Sequence, residues 1–103
     1  SIFKIIHSKK FDFYTQEKSI FNFCNSGSCS WYEFAKEILL LTSSNCEIYP
    51  ISSKKYNAPA ERPKYSVLNT TKIVNSFDLN IDSWKVALQN TINSANTNYN
   101  ELI

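Results

Sequence analysis

Apolar side chains at Ile2, Phe3, Ile5 and Ile6 share one face at helical spacing, which predicts a helix entering at the start of the chain. Residues 8–19, SKKFDFYTQEKS, break that rhythm and read as a polar, partly aromatic loop. In residues 19–24, SIFNFC, aromatic and branched side chains run together and stop at the polar NSGSCS, so a strand is predicted. Its near-continuous apolar character suits a strand covered on both faces, as in a parallel sheet. At Trp31 the period changes. Trp31, Phe34, Ala35, Ile38 and Leu39 recur at three and four residues, the stripe of an amphipathic helix running to about Leu41. Ser30 and Glu33 match the capping box that starts such a helix, each side chain satisfying a free backbone donor.

Residues 46–51, CEIYPI, read as a second short strand, with Pro50 placing it at an edge. Residues 52–64, carrying Pro59 and Pro63, read as an irregular crossing loop. Asn69 is positioned to cap a short helix over residues 70–77, and SFDLNI then makes a turn. Asp82 or Ser83 caps a last helix whose apolar face is Trp84, Ala87, Leu88, Thr91, Ile92, Ala95 and Tyr99, with fraying expected in the asparagine-rich tail from Asn93. The predicted class is α/β: helix-rich, with about two short strands and four helices. Two strands do not make an independent sheet. The pattern therefore predicts a main sheet upstream, residues 1–103 forming one region of a longer polypeptide, which the lack of methionine also favours. An unpaired edge at residues 19–24 predicts self-association through strand pairing.

Composition narrows the function classes. A chain of 103 residues is one domain at most, able to hide roughly 65% of its unfolded surface. Hydrophobic residues at 43%, with 15% aromatic, exclude disorder, and a net charge of +2 is too small for a nucleic-acid binder working by bulk electrostatics. No apolar run reaches the roughly 20 residues of a membrane span, and no stretch reads as a signal peptide, so no membrane partner is expected. Cys24, Cys29 and Cys46 are odd in number and lack C-x-x-C spacing, which disfavours a disulfide framework or zinc site and suits buried bystander thiols in the cytoplasm.

Gly27 is the only glycine, whereas the pyrophosphate turn of a dinucleotide fold needs several, so no cofactor-binding residue is assigned. YEFAK places Tyr32 and Lys36 at the Tyr-x-x-x-Lys spacing of short-chain dehydrogenases. Its neighbours Trp31 and Phe34 belong to the apolar stripe, so no catalytic residue is assigned there. His7 lacks the context of a triad or metal ligand and reads as a surface residue, and Lys9, Lys10, Lys54 and Lys55 read as solvated loop charges. Arg62-Pro63-Lys64 differs. Proline biases the residue before it towards extended backbone, and arginine's planar fork matches phosphate oxygens in bidentate fashion. The competing reading is a surface ion pair of Arg62 with Glu61 or Glu33.

Three blocks carry a resemblance: NSGSCSWYEFAKEI, YPISSKKYNAPAERPKYSVLNTTKI and DLNIDSWKVAL. In order and spacing they resemble the C-terminal third of the dTDP-4-dehydrorhamnose reductase family, from about Ile20 to Leu88. The most specific part is A-x-R-P-x-x-S-x-L-[DN]-x-[ST]-K, carried by Ala60, Arg62, Pro63, Ser66, Leu68, Asn69, Thr71 and Lys72. The resemblance implies an extended short-chain dehydrogenase/reductase whose N-terminal Rossmann domain carries NADPH and the catalytic Thr/Ser, Tyr and Lys. Its smaller C-terminal region closes over the nucleotide-sugar. It further implies reduction of dTDP-4-dehydro-L-rhamnose to dTDP-L-rhamnose for cell-surface polysaccharide, a homodimer, and magnesium in some members. Arg62 then takes the role of a clamp on the dTDP diphosphate, with Lys64 beside it. Asn25 and Ser26, at a strand end before a helix, occupy the place where α/β proteins put ligands. Trp31 reads as core rather than as a sugar platform.

A rival of another class is a non-catalytic regulatory subunit on the same fold, like the β subunit of methionine adenosyltransferase; an intact upstream Tyr-x-x-x-Lys would distinguish the enzyme from it. A weaker third reading is a stand-alone interaction module.

Overall fold

In the computed structural model, which describes residues 2–16 and 19–101 and their side chains except at Thr15 and residues 97–101, the described residues form six helices and no strand. These are α1 (Ile2–Ile6), α2 (Phe11–Gln16), α3 (Trp31–Leu41), α4 (Ser53–Tyr56), α5 (Thr71–Phe77) and α6 (Trp84–Glu101). The expected architecture of about two strands and four helices is thereby corrected to a helix-rich one. Residues 20–24 and 46–51 run without a ladder. Strand propensity needs a neighbour to pair with, and these segments have none among the described residues. Just past the first segment, a backbone hydrogen bond runs from the Ser26 N–H to the Asp82 carbonyl at 3.0 Å.

The two extra helices have local causes. Phe11 and Tyr14, three apart, give α2 an apolar side despite its lysine-rich approach. At α4, Ser52 is an N-cap that accepts from the Lys55 N–H at 3.2 Å, and Asn57 closes the turn in the left-handed region. The last helix extends through the asparagine-rich tail to Glu101.

The chain divides into two compact units, each described by itself: unit 1, Ser1–Ser26 with Val67–Asp82, and unit 2, Gly27–Ser66 with Ser83–Ile103. The buried core of unit 1 is Ile73, Phe77 and Leu79, with Ile5, Tyr14, Phe21, Val74 and Ile81 packed against it. Tyr14 meets Phe21 edge-on at 5.1 Å between centroids and Phe77 at 5.4 Å, and Phe21 lies 5.3 Å from Phe77. Of the α1 face only Ile5 joins this cluster; Ile2, Phe3 and Ile6 are exposed. The N-cap position of α5 falls on Thr70, whose side chain makes no capping bond, one residue later than the pattern predicts; Asn69, just before it, accepts the Thr71 N–H at 2.9 Å. Two lysines bind backbone carbonyls: Lys4 donates to Asp78, and Lys72 donates to Ile20 at 2.9 Å.

In unit 2, α3 packs on α6, with the Phe34 and Trp84 rings 5.8 Å apart. Trp31, expected in the buried stripe, is instead 88% exposed. It sits in the first turn of α3, where Phe34 has already taken the contact with α6. On α6, Trp84, Ala87, Leu88 and Ile92 are half-buried, Thr91 and Ala95 are exposed, and the Tyr99 side chain lies outside the described residues. Ser83 is the cap, accepting the Val86 N–H at 3.4 Å. With one glycine available, helices end on other residues: Ser43, Asn57 and Asp78 all adopt left-handed backbone. At α3 this closes a Schellman pair, Ser44 N–H to the Leu39 carbonyl at 3.1 Å and Ser43 N–H to Leu40 at 3.3 Å.

The capping box forms as its spacing predicts. Glu33 accepts from the Ser30 N–H at 2.7 Å and the Ser30 hydroxyl at 2.9 Å, while Ser30 accepts from the Glu33 N–H at 3.1 Å. Ser30→Ala is expected to cost about 1 kcal/mol, read by chemical denaturation. The Ser30 N–H first, and its hydroxyl second, hold the Glu33 carboxyl below its ordinary value. A carboxyl whose folded value is depressed contributes fully above its unfolded value and loses that contribution as pH falls through the folded one. Acid below the usual carboxylate range should therefore loosen α3, and Glu33→Gln, which keeps an acceptor, should remove that pH dependence of its helical circular dichroism.

Candidate functional site

Arg62 and Lys64 are brought together in one irregular segment of unit 2, following α4, and both side chains are exposed. The ion pair offered by the sequence does not form: the ion pair found among the described residues joins Lys85 to Glu37 at 3.2 Å, and Glu33 is engaged by Ser30. Pro63 limits the backbone of Arg62, and its guanidinium is presented to solvent. Tyr65, next to Lys64, is exposed as well. Nearby in sequence, the Tyr49 hydroxyl donates to the Glu47 carboxylate at 2.6 Å, which pushes the phenol's pKa up.

Asn25 and Ser26 lie in unit 1, both exposed, where the Ser26 backbone is fixed to Asp82. The two pairs of predicted residues thus belong to different units. The motif that carries them is divided in the same way. Its Arg62–Pro63 part is in unit 2, while Leu68, Asn69, Thr71 and Lys72 are in unit 1 and have backbone tasks: Leu68 accepts weakly from the Cys24 thiol at 3.8 Å, Asn69 accepts from the Thr71 N–H, and Lys72 holds Ile20.

Other titratable side chains have ordinary roles. His7 is exposed, and its Nδ1 lies 2.8 Å from the Phe3 carbonyl, so that nitrogen donates within its own turn. Tyr32 is half-buried and Lys36 exposed on α3. The cysteines are free thiols; Cys24 is half-buried, and Cys29 and Cys46 are exposed, which corrects the expectation of buried thiols. Partial desolvation, and the Glu33 carboxylate after it, push the Cys29 thiol up against an opposing effect of Lys85, the opposite of an activated nucleophile. No helix among the described residues is long and apolar enough to cross a membrane.

Residues 2–97 match the family described as the RmlD substrate binding domain. The chain belongs to the RmlD substrate-binding domain family. It is 30% identical over 76 residues to the spore coat polysaccharide biosynthesis protein SpsK of Bacillus subtilis, covering 74% of this chain and 26% of that protein. It is 31% identical over 72 residues to a dTDP-4-dehydrorhamnose reductase of Sinorhizobium fredii, covering 66% and 24%. It is also 32% identical over 66 residues to a probable dTDP-4,6-dihydroxy-2-methyloxan-3-one 4-ketoreductase of Streptomyces antibioticus, covering 63% and 22%. The chain spans about a quarter of the length of these relatives. No solved structure matches.

Within this RmlD domain, the single glycine leaves no room for a pyrophosphate turn. Gly27 has φ of +84°, which suits a turn, but a Cβ there would meet the Trp84 ring at 3.2 Å, so the space beside it is filled by indole and not open to phosphate. Nor do three His, Cys, Asp or Glu side chains converge as a metal site among the described residues.

Proposed function

We propose that this chain is the nucleotide-sugar-binding part of an NADPH-dependent dTDP-4-dehydrorhamnose reductase. The observation that supports it most is the exposed Arg62, constrained by Pro63 and committed to neither Glu61 nor Glu33, in a chain of the RmlD substrate-binding family. In this reading Arg62 takes two oxygens of the dTDP diphosphate through its planar fork, and Lys64 adds a point charge. Asn25 and Ser26 are substrate-side residues of unit 1. An N-terminal Rossmann domain is the covalent partner, NADPH supplies the hydride when bound there, and magnesium and a homodimer belong to the whole protein. The part assigned to this chain is grip and orientation of the sugar nucleotide.

Calorimetric titration of dTDP into the polypeptide that carries this chain tests the reading: saturable binding displaced by the dTDP-sugar is expected, and no binding would overturn it. The 103-residue chain on its own is expected to give no NADPH-dependent turnover of the 4-keto sugar nucleotide. Turnover abolished by Tyr32→Phe would contradict this and make Tyr32 and Lys36 a catalytic pair.

A further inference from the structure

Residues 20–24 have strand-like, partly aromatic sequence but no strand to pair with among the described residues, and they lead directly into Asn25 and Ser26. What fixes this segment is a set of ties within unit 1. The Lys72 Nζ donates to the Ile20 carbonyl at 2.9 Å and sits 4.7 Å from the centre of the Phe21 ring, so one ammonium holds both the backbone and the side chain of adjacent residues. Phe21 is in turn locked against Tyr14 and Phe77. Beyond it, Cys24 reaches Leu68 and the Ser26 N–H reaches Asp82.

The place of Lys72 on its own helix makes this contact informative. It lies in the first turn of α5, the end at which the helix dipole disfavours a cation. Local helix electrostatics therefore does not account for a lysine there, whereas a carbonyl and an aromatic face together offset the misplaced charge. The ammonium is engaged by the segment it holds, which distinguishes Lys72 from the solvent-facing Arg62 and Lys64 of the same sequence motif.

We infer that Lys72 is a positioning residue: it pins residues 20–21 to α5 and thereby sets the Asn25–Ser26 segment for the sugar nucleotide. The functional half of this inference rests on the substrate-binding reading above. The tether itself does not.

The test compares wild type, Lys72→Met and Lys72→Arg by amide hydrogen exchange, reading Ser26, whose N–H donates to Asp82, against Leu79 in unit 1 and Phe34 in unit 2. Methionine keeps the apolar stem and removes the charge. Lys72→Met should raise Ser26 exchange about 3- to 10-fold, the range for an exposed charge-assisted hydrogen bond, and leave Leu79 and Phe34 within about twofold. Arginine, able to reach a carbonyl and stack on a ring, should restore most of the protection. In the polypeptide that carries the chain, Lys72→Met should weaken dTDP-sugar binding by a similar factor without changing NADPH binding. Unchanged Ser26 exchange, or Ser26 and Leu79 rising together, overturns the positioning role, as does unaltered dTDP-sugar affinity with a loosened Ser26. If wild type itself binds no dTDP-sugar, the substrate-binding reading and the functional half fail, while the Ser26 amide still decides the tether.

Discussion

Phe77→Ala is expected to abolish cooperative unfolding of unit 1. Phe77 is 6% exposed and, with Ile73 and Leu79, forms the whole buried core among the described residues. Its ring is also the meeting point of Tyr14 and Phe21, so alanine removes two aromatic contacts along with the buried area. Truncating a buried phenylalanine costs about 3–5 kcal/mol, against a total stability of about 5–15 kcal/mol for an ordinary domain of this size. With so small a core the balance tips to unfolding. Thermal melts followed by near-ultraviolet circular dichroism should lose their transition in the variant. Trp31→Ala is the contrasting case: a larger side chain is removed, but at 88% exposure the change should stay within about 0.5 kcal/mol. A large loss at Trp31 with little at Phe77 would invert the description of where the packing lies.

Arg62→Ala is expected to weaken binding of the dTDP-sugar by roughly 10- to 150-fold, the equivalent of about 1.5–3 kcal/mol for a charge-assisted bidentate contact. The preorganisation by Pro63 raises the stake, because less side-chain and backbone freedom is lost on binding. Lysine should recover part of the affinity, since a point charge attracts the diphosphate without matching its geometry. If Arg62 served only the surface, alanine would shift stability by about 0–1 kcal/mol and leave ligand affinity alone.

How much of this was readable in the chain depended on whether the signal was local. The Ser30–Glu33 box and the Phe34–Ile38 stripe fixed α3 to its residue bounds, because both cap and stripe are complete within one helix. Residues 19–24 and 46–51 were misread as strands for the opposite reason: their composition suits a sheet, but a ladder requires a partner that local sequence does not contain. Short helices α2 and α4 were hidden by flanking lysines and prolines, although Ser52 carried a cap signal that could have found the second. Helix ends were obscured because Ser43, Asn57 and Asp78 take the left-handed position that glycine usually marks. In the candidate site, Arg62 stood out because Pro63 is adjacent. The role of Lys72 could not be seen, since its partner Ile20 is 52 residues away.

The central claim is that this chain grips a nucleotide diphosphate through Arg62, and separate titrations of dTDP and of NADPH into the complete polypeptide, as wild type, Arg62→Ala and Arg62→Lys, test it most directly. The account predicts a dTDP dissociation constant raised roughly 10- to 150-fold by alanine and by less with lysine, with NADPH affinity the same in all three. Equal dTDP affinity in wild type and the alanine variant would contradict it.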